Sequence, residues 1–580
     1  MNKSEERVRY VKKLFIPFII LSFSIFNNVY AYTMPVGIPD SSIDFTQDAP
    51  QRPDDWSEEI PGYYYIDAQN GSTSVTYGSE TNPRKSLPPS SVPAGSYIEI
   101  AGELTLSGSH VLRVSGTDDT WVANTSGPVW ITQSAITDGT ITGGRLTLAG
   151  ANVFVTNLNF KEGGKPQIGS PTSGYDIENV VIRNNDISGS DLAASGLGIN
   201  RATNAIIYNN TLHNFGDINT LEDEDAHVIS IGTNNTNVWV LSNVQHTASG
   251  AGLQVLGDSE TTSNIFVGDN EVYNVRQSGI WLKGGKNVVF SSNYVHDIID
   301  TSWSVSKGMG AQYEPDGLWM INNHIEGAEY GIRIASTNAT EHDQNIYIIG
   351  NVIHNISEKS DVGYVGGLNS WQSAAIHLVG GTETWIYNNL IFNAPNGVTS
   401  SSQSPVHIKN NIIFDLTNSQ ETGNYGRSIW TEFISTLGGD IELTNNYFDD
   451  HMIVQQGSKS YSSITEVESQ GGINNISTVQ FLSNLELEDI MNNKSIAGYD
   501  LTKIIDLGID VTAVTETLYS TIFTNVTKQL DTDILGIQRT QGSNIDIGPF
   551  ETDGTATPSS SSAPVSPTIL DIIQVEISTE

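Results

Sequence analysis

An asparagine recurs at the end of short apolar segments through the middle of this chain. Ten times, an apolar run ends in Asn and is followed two residues later by another apolar residue. The ten are Asn185, Asn210, Asn243, Asn270, Asn293, Asn323, Asn351, Asn389, Asn411 and Asn446. A second short apolar run precedes each of them, as Leu197–Ile199 precedes Asn210. Two such runs per repeat, without helical periodicity, predict an all-β solenoid of stacked parallel strands.

The asparagine is expected at a bend between two strands. Asn tolerates a left-handed backbone and can bond its own turn, so asparagines repeated at one bend are expected to form a buried ladder. The intervals run from 22 to 38 residues, which places insertions at fixed corners, where they commonly build a binding site. A sandwich or propeller would need hairpin turns or blade motifs, which the sequence lacks.

The overall charge limits the partners of this protein. Its 580 residues include 27 Lys and Arg against 65 Asp and Glu, a formal net charge of -38 at pH 7. This field repels nucleic acid and anionic membrane, so neither is expected as a partner. The chain has no cysteine, which excludes disulfides, thiolate metal sites and a cysteine nucleophile.

Residues 1–31 are predicted to be a signal peptide. Lys12 and Lys13 precede an apolar run at 14–26, and Val29-Tyr30-Ala31 offers small residues for cleavage. The run is short for a bilayer span, and a membrane anchor is the alternative. We therefore expect a secreted protein with a bacterial-type signal, and a monomer.

The rest of the chain is predicted to have three parts. Residues 32–93, rich in Pro, Asp and Tyr, are expected to form an irregular N-terminal segment and cap. Residues 94–551 are expected to form the solenoid, with a C-terminal cap that includes short helical segments after position 482. Residues 552–580 have the Ser/Thr/Pro composition of a linker, followed by a short tail.

Three runs between positions 276 and 335 share one pattern. Each opens with glycine, at Gly279, Gly310 and Gly331, and then alternates with a period of two, as a strand with one buried face does. The residues predicted to face inward are Ile280, Leu282, Ala311, Tyr313, Ile332 and Ile334. Those predicted to face outward, with neighbouring coils included, are Asn200, Ser230, Gln254, Trp281, Lys283, Gln312, Glu314, Arg333 and His377. This outward surface predicts the floor of a groove, since burying its charges would be costly.

Basic and aromatic residues are expected to meet on this surface. The corners before the three runs add further groups, namely Arg276, Gln277, Trp303, Lys307 and Trp371. In a chain with so few cations, this set together with Lys283 and Arg333 indicates an anionic ligand. The tryptophans, including Trp281, would stack on sugars unless they are buried. The alternative is that the cations form salt bridges with Glu314 and Asp316.

Four consecutive carboxylates occupy positions 222–225. In an acidic protein such a run is usually a solvated loop. The functional hypothesis is that Asp223 or Asp225 leans over the groove and pairs with Glu314, because a glycosidase needs two carboxyl groups about 5–9.5 Å apart. The adjacent His227 has the parity of the apolar residues that follow it, so a core or edge role is expected.

A family resemblance adds to this interpretation. The run Pro93-Ala94-Gly95-Ser96-Tyr97-Ile98-Glu99-Ile100 resembles the opening rung of secreted right-handed parallel β-helix proteins. The runs at 275–283 and 307–319 are similar to those of a marine-type polysaccharidase branch, and residues 62–551 resemble the pectate-lyase-like superfamily. This resemblance implies a right-handed parallel β-helix that cleaves a polysaccharide. The main hypothesis is a glycoside hydrolase of an anionic, sulfated or uronate-containing polysaccharide.

Two alternatives remain open. In the similar alginate lyases and chondroitinase B, a carboxylate-bound calcium lies beside a Lys/Arg pair. The resemblance then implies a polysaccharide lyase in which Lys283 and Arg333 are the base and the carboxylate neutraliser, in either order. Calcium is left open because the lysine here comes one coil earlier and is accompanied by one glutamate, Glu314. The other alternative is a non-catalytic carbohydrate-binding or adhesin solenoid.

Overall fold

The computed structural model describes residues 32–481 apart from 89–90, 115–126, 258–259, 314, 336–344, 359–372, 380–382, 402–404, 418–425, 432–440, 449–453, 457–458, 463–465, 467–472 and 478–479. The predicted signal peptide, C-terminal cap, and linker and tail lie outside the described residues, as do Glu314 and Trp371. The chain divides into a unit of Met1–Thr33, of which only two residues are described, and a unit of Met34–Glu580. Within the described part, no helix is long and apolar enough to cross a membrane.

The described strands form three sheets that run along the solenoid. Sheet 1 contains Ser91–Val92, Ser109–Val114, the first part of Arg145–Thr156, Lys165–Ile168, Leu197–Ile199, Ile229–Ile231, Leu253–Val255, Ser278–Leu282, Lys307–Gln312, Tyr330–Ala335, Ala374–Val379, Asn396–Ser400, Arg427–Thr431, Val454–Gln456 and Lys459–Tyr461. Sheet 2 contains Tyr63–Asp67, the first part of Tyr97–Thr105, Val129–Gln133, the second part of Arg145–Thr156, Ile177–Arg183, Ala202–Tyr208, Thr236–Leu241, Ser263–Gly268, Gly285–Ser291, Pro315–Ile321, Ile346–Ile349, Thr384–Tyr387, Val406–Lys409, Ile441–Thr444 and Ile473–Ser477. Sheet 3 contains the second part of Tyr97–Thr105, Gly139–Thr142, Asn159–Lys161, Asp186–Leu192, Thr211–Phe215, Val244–Ala248, Glu271–Val275, Tyr294–His296, His324–Ile325, Val352–Ile353, Leu390–Ile391, Ile412–Ile413, Tyr447–Phe448 and Gln480–Phe481.

Each coil passes from sheet 1 to sheet 2 to sheet 3. A strand pairs in parallel with its equivalents one coil earlier and later, as Ile229–Ile231 does with Leu197–Ile199 and Leu253–Val255. Among the described strands, Lys459–Tyr461 is antiparallel to its neighbour. Because side chains alternate along a strand, each sheet turns every second residue into one continuous core of Ile, Val and Leu. The predicted all-β parallel solenoid is confirmed.

The ten repeated asparagines form a buried ladder between sheets 2 and 3. At each step the side-chain Nδ2 donates to Oδ1 of the asparagine on the next coil, at 2.9–3.0 Å. Each amide also ties the ladder to the backbone: Asn293 Nδ2 donates to the Val267 carbonyl at 3.0 Å, and its Oδ1 accepts the Asn270 N–H at 3.1 Å. The predicted ladder is therefore confirmed.

The bend itself is made by the residue before each ladder asparagine. Asn184, Asn209, Asn388 and their equivalents have φ near +55°, whereas the ladder asparagines are absent from the left-handed residues. The tolerance of asparagine for a left-handed backbone is therefore used at the preceding position and not at the ladder position. The preceding residue makes the turn, and the asparagine is then free to point its amide inward.

A second, more exposed asparagine ladder runs along sheet 2. Its six members, which all have φ between 54° and 59°, are Asn152, Asn179, Asn204, Asn237, Asn264 and Asn287. Each after Asn152 donates from its side chain to the asparagine one coil earlier, at 2.9–3.1 Å. Here the left-handed residue and the bonded side chain are the same residue. This ladder links the starts of the sheet 2 strands from coil to coil.

Residues 34–47 form a strap along the outer face of sheet 2. Ser291 Oγ donates to the Val36 carbonyl at 2.6 Å, and Trp239 Nε1 donates to the Pro39 carbonyl at 2.9 Å. The Arg183 guanidinium donates to two further carbonyls of the strap. The first part of the predicted N-terminal segment thus crosses several coils. Farther along, Tyr63–Asp67 adds a strand that pairs with Tyr97–Thr105 at the N-terminal end of sheet 2.

Candidate functional site

The candidate site lies on sheet 1, where the register differs from the predicted one. In Lys307–Gln312, Gly310 pairs with Trp281 on one side and with Arg333 on the other. The prediction that Gly310 opens this strand is wrong, because Gly308 occupies that position two residues earlier. The sequence offers glycine at both positions, and the alternation is the same for either.

A shift of two residues leaves the inward and outward faces unchanged. The residues that face the core are at most 1% exposed; they are Ile280, Leu282, Met309, Ala311, Ile332 and Ile334. Tyr313, which was predicted to face inward, is 46% exposed. The strand ends at Gln312, and Tyr313 has a φ of 67°, so the alternation no longer applies to it and that prediction is wrong.

Gly310 leaves a gap in an outward row of side chains. Gln254, Trp281, Gly310, Arg333 and His377 are successive members of this row. Gly310 has a φ of 150°, and a Cβ at this position would lie 1.9 Å from the Arg333 carbonyl oxygen. With coils about 4.8 Å apart, the missing side chain opens a recess between Trp281 and Arg333.

A pocket of about 110 Å³ occupies this recess. It is lined by Ala251, Gln254, Gln277, Ser278, Trp281, Lys283, Ser304, Lys307, Gln312 and Arg333. The structure therefore brings six of the predicted site residues together. Three of the lining residues are cations and none of the described ones is a carboxylate, an arrangement that attracts anionic ligands.

Lys307 is buried at the base of the pocket. Its Nζ donates to Ser304 Oγ at 2.6 Å and to the Val305 carbonyl at 2.8 Å. Burial, reinforced by the positive charges of Arg333 and Lys283, holds the pKa of Lys307 well below its ordinary value of 10.5. In its neutral form this amine donates two hydrogen bonds and keeps its lone pair for a third direction, so a lowered pKa suits Lys307 to accept a proton.

Trp281 and Arg333 form opposite sides of the recess. Trp281 is 4% exposed, and Lys307 Nζ lies 5.2 Å from the centroid of its ring. The Arg333 guanidinium lies 5.6 Å from the Tyr330 ring. With so little of the indole exposed, Trp281 acts mainly as a wall for the lysine rather than as a broad platform for a sugar.

His377 lies next to Arg333 in the outward row and is buried outside the pocket lining. Its Nδ1 is 2.7 Å from Thr399 Oγ1, and its ring centroid is 4.9 Å from that of Tyr330. Burial and the positive charge of Arg333 lower the pKa of His377 to about 3. The predicted substrate-binding histidine is thus a neutral group that packs behind Arg333.

This burial predicts acid sensitivity. An unfolded histidine takes up its proton near pH 6.5, whereas folded His377 stays neutral down to about pH 3, so stability is lost as the pH falls through this window. We expect the free energy of unfolding to drop by about 3 kcal/mol more in the unsubstituted protein than in His377→Asn between pH 7 and pH 4. Urea titrations at several pH values measure this difference, and parallel pH curves for the two proteins would contradict it.

The acidic corner contacts the pocket rim through two of its residues. Asp225 Oδ1 accepts a hydrogen bond from Gln277 Nε2 at 2.8 Å, and the Glu222 carbonyl accepts one from Arg276 at 3.1 Å. Glu224 instead accepts from Ser249 Oγ at 2.7 Å, which holds the loop. Asp223, predicted as a catalytic carboxyl, is exposed, and neither it nor Arg276 is among the residues that line the pocket.

Trp303 lies at the outer edge of this corner. It is 47% exposed, and its Nε1 donates to the Leu221 carbonyl at 3.1 Å. The side chain therefore joins the Trp303 corner to the acidic loop. In this part of the described chain, Trp303 and Tyr313, which are 47% and 46% exposed, have aromatic faces available to a sugar.

His227 is a neighbour of the pocket that the sequence interpretation did not include. Its Nδ1 accepts the Ala251 N–H at 2.9 Å, and its ring lies beside Gln254 and Lys283. Burial lowers the pKa of His227 to about 4. The negative charge of Asp225 opposes this shift, and the positive charge of Lys283 adds to it. This placement fits the predicted core or edge role of His227. The sequence signal for its proximity to the pocket is its position directly after the acidic run.

Asp316, one of the two carboxylates proposed to form salt bridges with the pocket cations, lies on another sheet. Asp316 Oδ2 pairs with Lys286 at 3.1 Å on sheet 2, away from the pocket. Lys283 and Lys307 form no ion pair with any residue that the structure describes. Glu314, the other proposed partner and the predicted catalytic carboxyl, lies outside the described residues.

The fold of the coils is identified by comparison with known protein families. The model of the family "Right handed beta helix region" matches residues 175–353 and 227–413. The described coils form a right-handed parallel β-helix. The expected resemblance to right-handed parallel β-helix proteins is thereby confirmed.

Comparison with solved structures finds partial similarities at low sequence identity. The β-helix is similar to the catalytic unit of a thermostable GH87 alpha-1,3-glucanase from Streptomyces thermodiastaticus strain HF3-3, at 12% identity and a TM-score of 0.41 over 64% of each chain. It is also similar to a PL6 alginate lyase solved with a trisaccharide (13%, TM-score 0.35, 68% of this chain and 89% of that one) and to pectate lyase Pel9A (13%, TM-score 0.33, 86% and 99%). The chain thus spans 64% of the length of the glucanase unit, and these likenesses concern the fold alone. A search of curated proteins gives no match.

Proposed function

We propose that this β-helix cleaves an anionic polysaccharide by β-elimination, as a uronate lyase. The observation that carries the proposal is the pocket on sheet 1, in which Lys283, Lys307 and Arg333 face one recess and no described lining residue is a carboxylate. The cations Lys283 and Arg333 suit a bound uronate, and Lys307, whose pKa is held low, supplies a base. The sequence pattern favoured a hydrolase, whereas the basic lining of the described pocket supports a lyase.

The proposed step uses this chain's own side chains. Arg333 and Lys283 bind the uronate carboxylate, and so make the proton on the adjacent carbon more acidic. Lys307 Nζ takes that proton while the glycosidic C–O bond breaks and a carbon–carbon double bond forms. The leaving oxygen takes a proton from water. Gln254, Gln277 and Gln312 supply neutral hydrogen-bonding groups around the sugar.

The calcium left open by the sequence does not fit the described pocket. Ca²⁺ takes six to eight oxygen ligands, mainly carboxylates and carbonyls, and the described lining residues offer three cations and no carboxylate. The proposed reaction therefore includes no step through a metal ion. We place the activity outside the cell, as the predicted signal peptide suggests. We propose that the protein acts as a monomer.

A glycoside hydrolase is the second candidate function. The observation in its favour is that Asp225, a predicted catalytic carboxyl, reaches the pocket rim through Gln277 at 2.8 Å. This mechanism would require Glu314 as the partner, with the two carboxyl groups about 5–9.5 Å apart.

A substrate screen distinguishes the two. Purified protein is incubated with alginate, pectate, chondroitin sulfate, fucoidan and carrageenans, and both new reducing ends and ultraviolet absorbance from unsaturated uronate are followed. We expect both signals to rise together on at least one uronate polymer. Reducing ends without absorbance would support the hydrolase. Binding without cleavage of any substrate would instead support the non-catalytic solenoid and overturn the proposal.

A further inference from the structure

A cluster of metal-binding residue types lies on sheet 3, away from the sheet 1 pocket. His324 and Glu326 are two residues apart on one coil, so both face outward. The pairing of His324 with Val352, and of the residues that follow them, brings His354 on the next coil beside Glu326. Each of the three side chains has a ligand atom within 4.8 Å of the others.

The cluster is buried although it faces away from the core. His324 is 1% exposed, and Glu326 and His354 are each 7% exposed. Two further side chains hold the carboxylate: Tyr294 OH donates to Glu326 Oε1 at 2.6 Å, and Asn355 Nδ2 donates to Oε2 at 2.9 Å. The carboxylate is therefore oriented by neighbours that are not themselves ionised.

The two histidines face each other through ring nitrogens. His324 Nε2 lies 2.6 Å from His354 Nε2, a distance at which the two nitrogens can share one proton at most. Imidazole nitrogens bind metals through their lone pairs, and a metal ion between these nitrogens would satisfy both.

We propose that His324, Glu326 and His354 bind one divalent transition-metal ion, with Zn²⁺ as the ion that fits best. Two imidazole nitrogens and one carboxylate oxygen are a zinc donor set, whereas Ca²⁺ and Mg²⁺ prefer oxygen ligands throughout. Ligand atoms around tetrahedral zinc lie about 3.4 Å apart. In this structure the ligand atoms lie within 4.8 Å of one another, and the two Nε2 atoms are 2.6 Å apart, so side-chain rotations complete the site. The ion joins two consecutive coils and stabilises them.

The aromatic stack on this face provides a matched variant. His354 stacks on Phe392, at 4.6 Å between ring centroids, and Phe392 stacks on Phe414 at 5.4 Å. His354→Phe therefore keeps a ring in the stack and removes a ligand. Glu326→Gln is a second variant, which keeps the side chain's size and one carbonyl oxygen.

The test is a zinc titration of untagged full-length protein that has been dialysed against EDTA, with calorimetry as the readout. We expect one Zn²⁺ per chain, a rise in Tm with zinc, and at least about 100-fold weaker binding in both variants. Calcium chloride is the comparison ion and is expected to give no heat at this site.

A control histidine excludes general surface binding. His407 lies 2.9 Å from both Glu383 and Glu442 and stacks on Trp385, but Lys409 lies 3.0 Å from the same Glu442 and repels cations. His407→Phe should leave zinc affinity unchanged. Two outcomes would overturn the proposal and leave the histidine pair as a hydrogen bond. One is loss of zinc binding in His407→Phe, and the other is unchanged zinc binding in both His354→Phe and Glu326→Gln. Far-ultraviolet circular dichroism confirms folding, and Glu326→Gln carries the test if His354→Phe does not fold.

Discussion

Replacing Lys307 with methionine is expected to lower kcat on a uronate polysaccharide by about 10²–10⁴, the usual contribution of a general base. Methionine fills the space beside Trp281 and has no basic nitrogen. The substitution removes the donor to Ser304 Oγ and the Val305 carbonyl, which lowers the free energy of unfolding by about 1–3 kcal/mol, and removal of an amine whose charged form is disfavoured by burial offsets part of this loss. Initial rates of ultraviolet absorbance, measured beside thermal melts, separate loss of chemistry from loss of fold.

Lys286→Met is the matched control for this experiment. Lys286 lies on sheet 2, pairs with Asp316 at 3.1 Å and has a half-exposed side chain, so its replacement should change kcat less than about twofold. In the unsubstituted protein, kcat should fall as the pH drops below the pKa of Lys307, because a protonated amine cannot accept a proton. If Lys307→Met keeps its rate, the base must be sought elsewhere in the pocket, at Lys283 or Arg333.

Asn293→Leu is expected to lower the free energy of unfolding by roughly 3–6 kcal/mol, since buried groups left without a partner cost about 1–3 kcal/mol each. The substitution removes the bonds from Asn293 Nδ2 to Val267 O and Asn323 Oδ1, at 3.0 and 2.9 Å. It also removes the acceptor for the backbone and side-chain N–H groups of Asn270. Urea denaturation measures the difference.

The exposed ladder supplies the control for the buried one. Asn287→Gly keeps a left-handed backbone, at a φ of 54°, and loses one side-chain bond of 3.1 Å to Asn264. We expect a loss of about 1 kcal/mol, because water can replace the bond and glycine adds some unfolded-state entropy. Equal losses at positions 287 and 293 would mean that burial of the ladder contributes nothing special to stability.

The repeat predicted the solenoid and its ladder because both are local patterns. Each asparagine follows an apolar run, and each run alternates, so strand faces could be assigned without knowing the neighbouring coil. The register between neighbouring coils could not be assigned from the sequence, since Gly308 and Gly310 give the same alternation. Structure was needed to place Gly310 between Trp281 and Arg333, the arrangement that opens the pocket.

The sequence pattern also did not predict which charged side chains would be buried. Lys307 was expected to bind substrate at a corner, and nothing in its neighbours indicated that Ser304 and the Val305 carbonyl would hold it inside the fold. The His324 cluster was missed for a different reason. Its members come from two coils, and their contact depends on the length of the insertion between them.

The strap along sheet 2 makes the order of folding matter. Solenoid coils contact mainly their neighbours, so each can form soon after it is synthesised. The strap instead joins Val36 to Ser291 and Pro39 to Trp239, partners 255 and 200 residues apart. At about 5–20 residues per second, Ser291 emerges roughly 13–50 s after Val36. The strap must therefore stay undocked while the coils assemble, and its late closure couples distant coils into one cooperative unit.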